Sequence, residues 1–231
     1  MKKSTGLRFL WAFLGISAII ITHELGHWTF CKLFGVSAPE FSIGLGPRIF
    51  ETRFAGTRFS VSLLLLGGYV DILGFREPIK GFESISFATK PFYQKTLILL
   101  GGIIFNLLFA LGIFAFLRRP KLPIPQEPNP KKPIARFIGP IGIISLIAKN
   151  SEYGIAPFFF ILAVLSLNLA VFNLIPLPIL DGGQLLILAL EKWGNFVFRE
   201  ETYEFLMIIT LLFITLLFFF LSSKDIKRAL T

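Results

Sequence analysis

Cysteine is nearly absent from this chain of 231 residues. Cys31 is the only one, so no intrachain disulfide forms, and cysteine usage gives no indication of the redox compartment. Acidic residues are also scarce, with 14 Asp and Glu against 23 Lys and Arg, and the formal net charge is +9. A balance of this kind can indicate a nucleic-acid-binding protein, so where the basic residues lie along the chain matters.

Apolar residues are abundant instead. They make up 54% of the chain, 28 residues are Phe, and the mean hydropathy is +0.74. These values exclude an ordinary soluble core and predict an α-helical polytopic membrane protein, which we treat as one domain over residues 1–231. Long apolar stretches predict about four transmembrane helices, over residues 7–33, 96–117, 153–175 and 205–223.

The basic residues are spread over the segments that flank these stretches. We therefore expect them to meet lipid headgroups, with the bilayer as a partner and no nucleic acid. With four spans, 13 basic residues fall on one side and 10 on the other, which does not decide the orientation. The first stretch does not resemble a cleaved signal peptide, and we expect it to remain in the mature protein.

The first apolar stretch is too short to cross a bilayer alone. Residues 9–22 are uncharged, but 14 residues give only about 21 Å of helix, and a span needs about 20 residues. The span must therefore continue through His23-Glu24-Leu25-Gly26-His27. Because polar groups are costly in lipid, we expect these side chains to have a ligand, and zinc is the best candidate.

The spacing of this motif explains the choice of metal. Histidines four residues apart lie on the same face of a helix, so His23 and His27 can bind one zinc ion, while Glu24 reaches the water on that ion as general base. The alternative is that neighbouring backbone or hydroxyl groups satisfy the two histidines. A membrane setting disfavours it, because unpaired polar groups are expensive there.

A third ligand is expected at Asp181. Pro176 and Pro178 predict that the third span ends near residues 173–174, which leaves Asp181 on a short extended piece. Gly182 and Gly183 then allow a turn into a short helix over residues 184–193, along the interface. Asp181 could instead cap that helix, but the presence of the histidine motif favours a zinc site with an open fourth position.

The loop between the first two spans predicts a small β-hairpin over residues 40–72. Apolar residues alternate on both sides of a turn at residues 55–57. The returning run, residues 61–66, is apolar enough to dip into the membrane beside the zinc. It can offer a free strand edge to an unwound substrate, or it can plug the site against lipid; both remain open.

Two motifs together resemble the site-2 protease family of intramembrane zinc metalloproteases. They are His23-Glu24-Leu25-Gly26-His27 and residues 173–182 (NLIPLPILDG). Residues 41–46 (FSIGLG), 66–70 (LGGYV) and 166–169 (SLNL) are similar to the bacterial branch that cleaves anti-sigma factors, and the similarity covers most of the chain.

The resemblance implies an intramembrane zinc endopeptidase with one zinc ion per chain. Its substrate would be a single-span membrane protein, such as an anti-sigma factor or a remnant signal peptide. It would lie in the bacterial inner membrane with its active site toward the cytoplasm. The implied zinc ligands are His23, His27 and Asp181, and the implied general base is Glu24. The implied substrate contacts are Asn168, Asn173, Gly67 and Gly68.

The chain departs from that branch in two places. Where the second span usually carries Gly-Pro with Asn two residues later, this chain has Gly102-Ile103-Ile104-Phe105-Asn106. PDZ domains usually separate the second and third spans, but residues 118–139 are only 22 residues with six prolines. That is less than the roughly 50 residues of a small domain, and it predicts a semi-rigid tether.

The alternative function is a zinc-binding membrane protein without proteolysis, either a metal transporter or a pseudoprotease. A transporter is expected to carry ionisable residues at mid-membrane in several spans. The second and fourth spans have none away from their ends, and Glu24 is present.

Overall fold

The computed structural model describes residues 5–117, 143–144, 147, 154–194 and 196–230. The helices are α1 (Thr5–Leu33), α2 (Phe92–Leu117), α3 (Ile155–Phe172), α4 (Asp181–Trp193) and α5 (Glu200–Leu230). Two long strands, β1 (Glu40–Phe54) and β2 (Thr57–Asp71), lie between α1 and α2. Two short 3-10 turns, Glu83–Ile85 and Phe87–Thr89, precede α2. The predicted tether over residues 118–139 lies outside the described residues.

Four of the helices are long and apolar enough to cross a membrane, which confirms the predicted number of spans. They are α1, α2, α3 and α5. The third of these helices, α3, stops at Phe172 with Asn173 as its C-cap, close to the end at residues 173–174 that the two prolines predict. Pro176 and Pro178 lie just beyond, where the chain can no longer continue as a helix.

The α1 and α2 helices cross at two glycines. A Cβ atom added at Gly101 would lie 2.6 Å from the carbonyl oxygen of Gly26, and one added at Gly26 would collide with the Gly101 carbonyl. Farther along α2, the Ser166 hydroxyl of α3 donates a hydrogen bond of 3.0 Å to the Asn106 carbonyl. The backbones of the three helices are therefore in close contact, and side chains between them are buried.

The predicted hairpin is present, but each strand bends and forms two strand segments, so the result is a small four-stranded sheet. Residues 48–54 pair with residues 57–62 across a turn in which Ala55 and Gly56 have φ of 49° and 73°. Positive φ at both central residues is typical of a tight hairpin turn. Gly44, where β1 bends, has φ of 89°.

The first segment of β1 lies inside this sheet. Residues 40–43 pair with residues 58–61 in the same direction and with residues 68–71 in the opposite direction. Val61 therefore has partners on both sides, Ile43 and Phe50. Of the two alternatives for residues 61–66, a free edge does not apply at Val61. Among the described residues, the segment at residues 68–71 is an edge of the sheet, and Gly68 in it lies beside Ile20 and Glu24 of α1.

Glu40 ties the four segments together on the polar face of the sheet. Its buried carboxylate accepts hydrogen bonds from Arg48 (2.7 Å), Arg58 (2.7 Å) and the Tyr69 hydroxyl (2.9 Å). Burial alone raises the pKa of Glu40, but these donors outweigh it and hold the pKa below the ordinary value of a glutamate. Because Tyr69 belongs to the edge segment, this network fixes the edge to the rest of the sheet.

The sheet lies along α1. The Ser17 hydroxyl donates to the Leu65 carbonyl (2.9 Å), and the Trp28 indole N–H donates to the Thr57 hydroxyl (2.9 Å). Ser17 and Trp28 are about 16 Å apart along the helix. The sheet therefore accompanies a spanning helix over about half of its length, past the residues of the histidine motif.

Candidate metal centre

The histidine motif lies in the second half of α1. His23 and His27 are 8% and 7% exposed, and their Nε2 atoms are 3.3 Å apart. The spacing of four residues places both rings on the face of α1 that meets α2. Gly102 of α2 leaves room for the His23 ring, because a Cβ atom there would overlap it.

Asp181 reaches the same point from α4. Its Oδ2 lies 3.2 Å from His23 Nε2 and 3.5 Å from His27 Nε2. Asp181 is the first residue of α4, so the predicted extended piece is wrong: Leu180 is the extended residue before the helix. Leu180 is also the N-cap, and the Asp181 side chain is directed to the histidines.

Gly182 and Gly183 are helical residues, whereas the sequence predicted a turn there. They let the start of α4 approach the segment that follows α3. Cβ atoms at Gly182 and Gly183 would collide with the carbonyl groups of Leu174 and Leu177. The Gly182 N–H donates to the Asn173 carbonyl at 2.7 Å. The start of α4 is therefore pressed against the segment that follows α3, and this contact positions Asp181.

The three donor atoms have the geometry of a zinc site. Zinc at about 2.0–2.1 Å from tetrahedral N and O ligands separates those ligands by about 3.3–3.4 Å. The three separations here are 3.2, 3.3 and 3.5 Å. Within the described residues, these side chains form a group of His, Cys, Asp or Glu able to hold one metal ion. Two imidazoles and one carboxylate fit zinc and leave a fourth position open.

Hydrogen bonds to the other ring nitrogens orient the histidines. His27 Nδ1 lies 2.8 Å from the Ile98 carbonyl, which can only accept, so Nδ1 carries the proton and Nε2 is free to bind a metal. His23 Nδ1 lies 3.2 Å from Nδ2 of Asn106, a fully buried residue whose Oδ1 has no partner. The amide O and N have nearly the same shape, and exchanging them lets Oδ1 accept from His23 Nδ1–H. That tautomer also frees His23 Nε2.

Asn106 was not among the site residues predicted from the sequence. The sequence does single this residue out, because Asn106 is the one amide in the uncharged stretch of residues 96–117. Its contact with His23 depends on how α1 and α2 cross, which the motif alone does not specify.

Glu24 lies next to the edge segment of the sheet. It is half-buried, and its Cγ is 3.5 Å from the position of a Cβ atom at Gly68. The Val70 backbone N–H is close enough to interact with the Glu24 carboxylate. Of the two glycines predicted to contact substrate, Gly68 thus faces Glu24, and Gly67 directly precedes it.

The two predicted asparagines lie differently. Asn173 is buried, its side-chain amide donates to the Leu169 carbonyl at 3.0 Å, and its own carbonyl accepts from Gly182. It stabilises the connection between α3 and α4. Asn168 is exposed on α3 and makes no hydrogen bond to a described residue.

Comparison with known proteins identifies relatives of this chain. A zinc metalloprotease proposed in Helicobacter pylori is 40% identical over 112 residues, which are 47% of this chain and 32% of that protein. Proposed zinc metalloproteases of Fusobacterium nucleatum and Thermotoga maritima are 38% identical over 104 residues and 40% identical over 102 residues. These matches cover 45% and 43% of this chain, and 30% and 20% of the two relatives. The chain thus spans about a third or less of the length of these curated relatives.

The model of peptidase family M50 matches residues 11–217, a range that contains both histidines, Glu24 and Asp181. The match covers most of the chain, and the relatives carry the names of zinc metalloproteases. The chain therefore belongs to peptidase family M50, the site-2 protease family.

Proposed function

We propose that this protein hydrolyses a peptide bond within the transmembrane segment of a membrane-protein substrate. His23, His27 and Asp181 hold one zinc ion, and Glu24 is the general base. The observation that carries the proposal is the triangle of His23 Nε2, His27 Nε2 and Asp181 Oδ2, with sides of 3.2–3.5 Å, directly beside Glu24 on a spanning helix.

The depth of the site supports an intramembrane substrate. His27 contacts the carbonyl of Ile98, which lies about 9 Å along α2 from its start at Phe92. His23 contacts Asn106, farther along the same helix. A bilayer core is about 30 Å thick, so the histidines are below the level of the helix ends. A peptide bond that reaches them must enter the membrane-spanning part of the protein.

Each residue has a defined task in this proposal. Zinc bound by the three ligands supplies Lewis acidity, which makes a water molecule a better nucleophile and polarises the scissile carbonyl. Glu24 takes the proton from the water and passes it to the leaving amine. The Ile98 carbonyl and Asn106 hold the two imidazoles in the tautomer that presents Nε2.

The edge segment at residues 68–71 is the proposed binding site for the unwound substrate. It pairs with residues 40–43 on one side, and Gly68 and Val70 lie beside Glu24. A peptide bond in a closed helix is shielded from attack, whereas a strand added to a sheet edge is extended and accessible. Gly68 has no side chain to separate the substrate from Glu24.

The proposed partners are single-span membrane proteins, such as an anti-sigma factor or a remnant signal peptide. The proposed location is the bacterial inner membrane, with the site open to the cytoplasm. Relatives in Helicobacter, Fusobacterium and Thermotoga support a bacterial setting. The position of Glu24 at the metal centre favours hydrolysis over zinc binding alone.

A cleavage assay tests the function. Purified protein is incubated with a panel of single-span substrates, with and without a zinc chelator, and cuts are mapped by mass spectrometry. We expect chelator-sensitive cuts inside the span. Cuts restricted to residues outside the span, or cuts that persist when zinc is removed and verified as absent, would contradict the proposal.

A further inference from the structure

A cavity separate from the metal centre lies at the end of the molecule where α2 begins and α4 ends. Its volume is about 310 Å³, and Phe92, Lys95, Leu188, Glu191 and Lys192 line it. None of these residues belongs to the metal centre. The cavity combines an apolar wall with three charged side chains.

The charges in this cavity do not balance. Its one carboxylate, Glu191, is already paired with Arg76 at 2.7 Å. Lys95 and Lys192 have no carboxylate within 4.0 Å among the described residues. Lys192 Nζ is instead 4.4 Å from the centre of the Phe92 ring, and Lys95 Nζ is 5.7 Å from the Phe87 ring. Within the described part of the chain, the two lysines that line the cavity therefore have no carboxylate partner of their own, because Glu191 is paired with Arg76.

The aromatic residues around the cavity indicate a membrane interface. Trp193 packs edge-on against Phe92 with ring centres 4.6 Å apart, yet it is 67% exposed, and neighbouring Tyr93 is 60% exposed. Trp and Tyr concentrate at the level of lipid headgroups. Lys95 lies in the first turn of the spanning helix α2, where a lysine can extend its ammonium group to the same level.

Helix α5 contacts Arg76, the partner of Glu191, and carries exposed apolar residues. Arg76 forms an ion pair with Glu191, and its guanidinium carbon also lies 4.5 Å from the centre of the Tyr203 ring of α5. Beyond Tyr203, the α5 side chains are largely exposed, including Phe205, Ile208 and Leu212. An occupant with a negative headgroup and long hydrocarbon chains matches both the cavity and these exposed residues.

We propose that the cavity binds the phosphate headgroup of an anionic phospholipid, with Lys95 and Lys192 as its cationic partners. The phosphodiester accepts from the two ammonium groups, and the acyl chains lie along the exposed face of α5. Because Glu191 pairs with Arg76, it does not pair with either lysine. The site is distinct from the metal centre and does not depend on proteolysis.

Native mass spectrometry of the purified full chain tests this site. The protein is titrated with phosphatidylglycerol and, separately, with phosphatidylcholine of the same acyl chains. We expect tighter binding of phosphatidylglycerol, and we expect Lys95→Gln/Lys192→Gln to weaken it by about tenfold to thirtyfold. The matched control is Lys32→Gln/Lys80→Gln, which removes two charges from loops and helix ends on the same side and should change binding by less than about twofold.

Further arms separate the possible anions. Lys95→Arg/Lys192→Arg should retain phosphatidylglycerol binding, and unchanged zinc content should show that every variant is folded. Inorganic phosphate at millimolar concentration should not compete. Competition by phosphate would assign the cavity to a small anion, and competition by a short polyglutamate peptide would assign it to an acidic protein segment. The proposal would be overturned by either result, by equal weakening in the control, or by no preference for the anionic lipid.

Discussion

The four side chains proposed to act at the metal centre have two different proposed tasks, and substitution separates them. His23, His27 and Asp181 present their donor atoms to one point, whereas Glu24 lies beside that point, next to Gly68. We expect Glu24→Gln to lower cleavage at least about 100-fold and to keep zinc near one ion per chain. His23→Ala or Asp181→Ala should lose both. Metal analysis and cleavage rates of the purified variants check this; zinc lost from Glu24→Gln would contradict the assignment.

Asn106 is the residue whose role the structure adds. It is fully buried, and its side chain contacts His23 Nδ1. Asn106→Leu removes the acceptor that fixes the imidazole, so we expect zinc affinity to fall by about tenfold to a hundredfold. Asn168→Ala, on the exposed face of α3, is the matched control and should leave zinc affinity within about twofold. A chelator competition titration measures both, and equal losses would show that Asn106 does not orient the ligand.

The sequence predicts individual residues of this site best where spacing along one helix determines the contact. His23 and His27 follow from a separation of four residues on α1. Asp181 follows from a second motif taken together with the histidine motif, and its position as the first residue of α4 differs from the predicted extended piece. Asn106 and the Ile98 carbonyl are brought in by the crossing of α1 and α2, which a local pattern does not encode.

At the level of elements, the alternation of apolar residues gave the hairpin and its turn but not its edge. Alternation reports which side chains share a face, and it says nothing about which strand lies beside which. The bends in β1 and β2 place residues 40–43 between two segments of β2. The edge beside Glu24 is therefore residues 68–71 instead of residues 61–66.

This edge makes a prediction for proline substitution. Val70→Pro removes the N–H near Glu24 and distorts the edge on which the substrate is proposed to pair. A loss equivalent to about one hydrogen bond should slow cleavage of helical substrates by about threefold to tenfold. Arg53→Pro is the control on the opposite edge. Phe54 and Thr57 flank the two-residue turn as a hydrogen-bonded pair, so the N–H of Arg53 points outward.

Rates with two kinds of substrate separate binding from damage. Substrates with Gly or Pro in the span are already unwound, so they should be affected less by Val70→Pro than intact helices are. Zinc content should stay unchanged in both variants. Equal slowing of helical and unwound substrates would favour the sheet as a plug against lipid.

For the whole molecule, composition predicts the membrane class, and the long apolar stretches predict the four spans, because hydrocarbon thickness sets the length of such stretches. It does not predict the metal centre as an assembly. That centre takes ligands from α1 and α4 and orienting groups from α2, and these meet only because the helix backbones approach closely.

The close approach of α1 and α2 should therefore control both stability and metal binding. A Cβ atom at Gly101 meets the backbone of Gly26, one residue before His27, whereas nothing lies within 4 Å of a Cβ atom at Gly112 on the same helix. We expect Gly101→Ala to separate the helices, to cost about 1–3 kcal/mol of stability, and to weaken zinc binding by moving His27 away from the Ile98 carbonyl. Gly112→Ala makes the same chemical change without a clash and should match the unaltered protein. Thermal unfolding in detergent and zinc titration measure the two effects, and identical behaviour of the two variants would show that the site does not depend on this crossing.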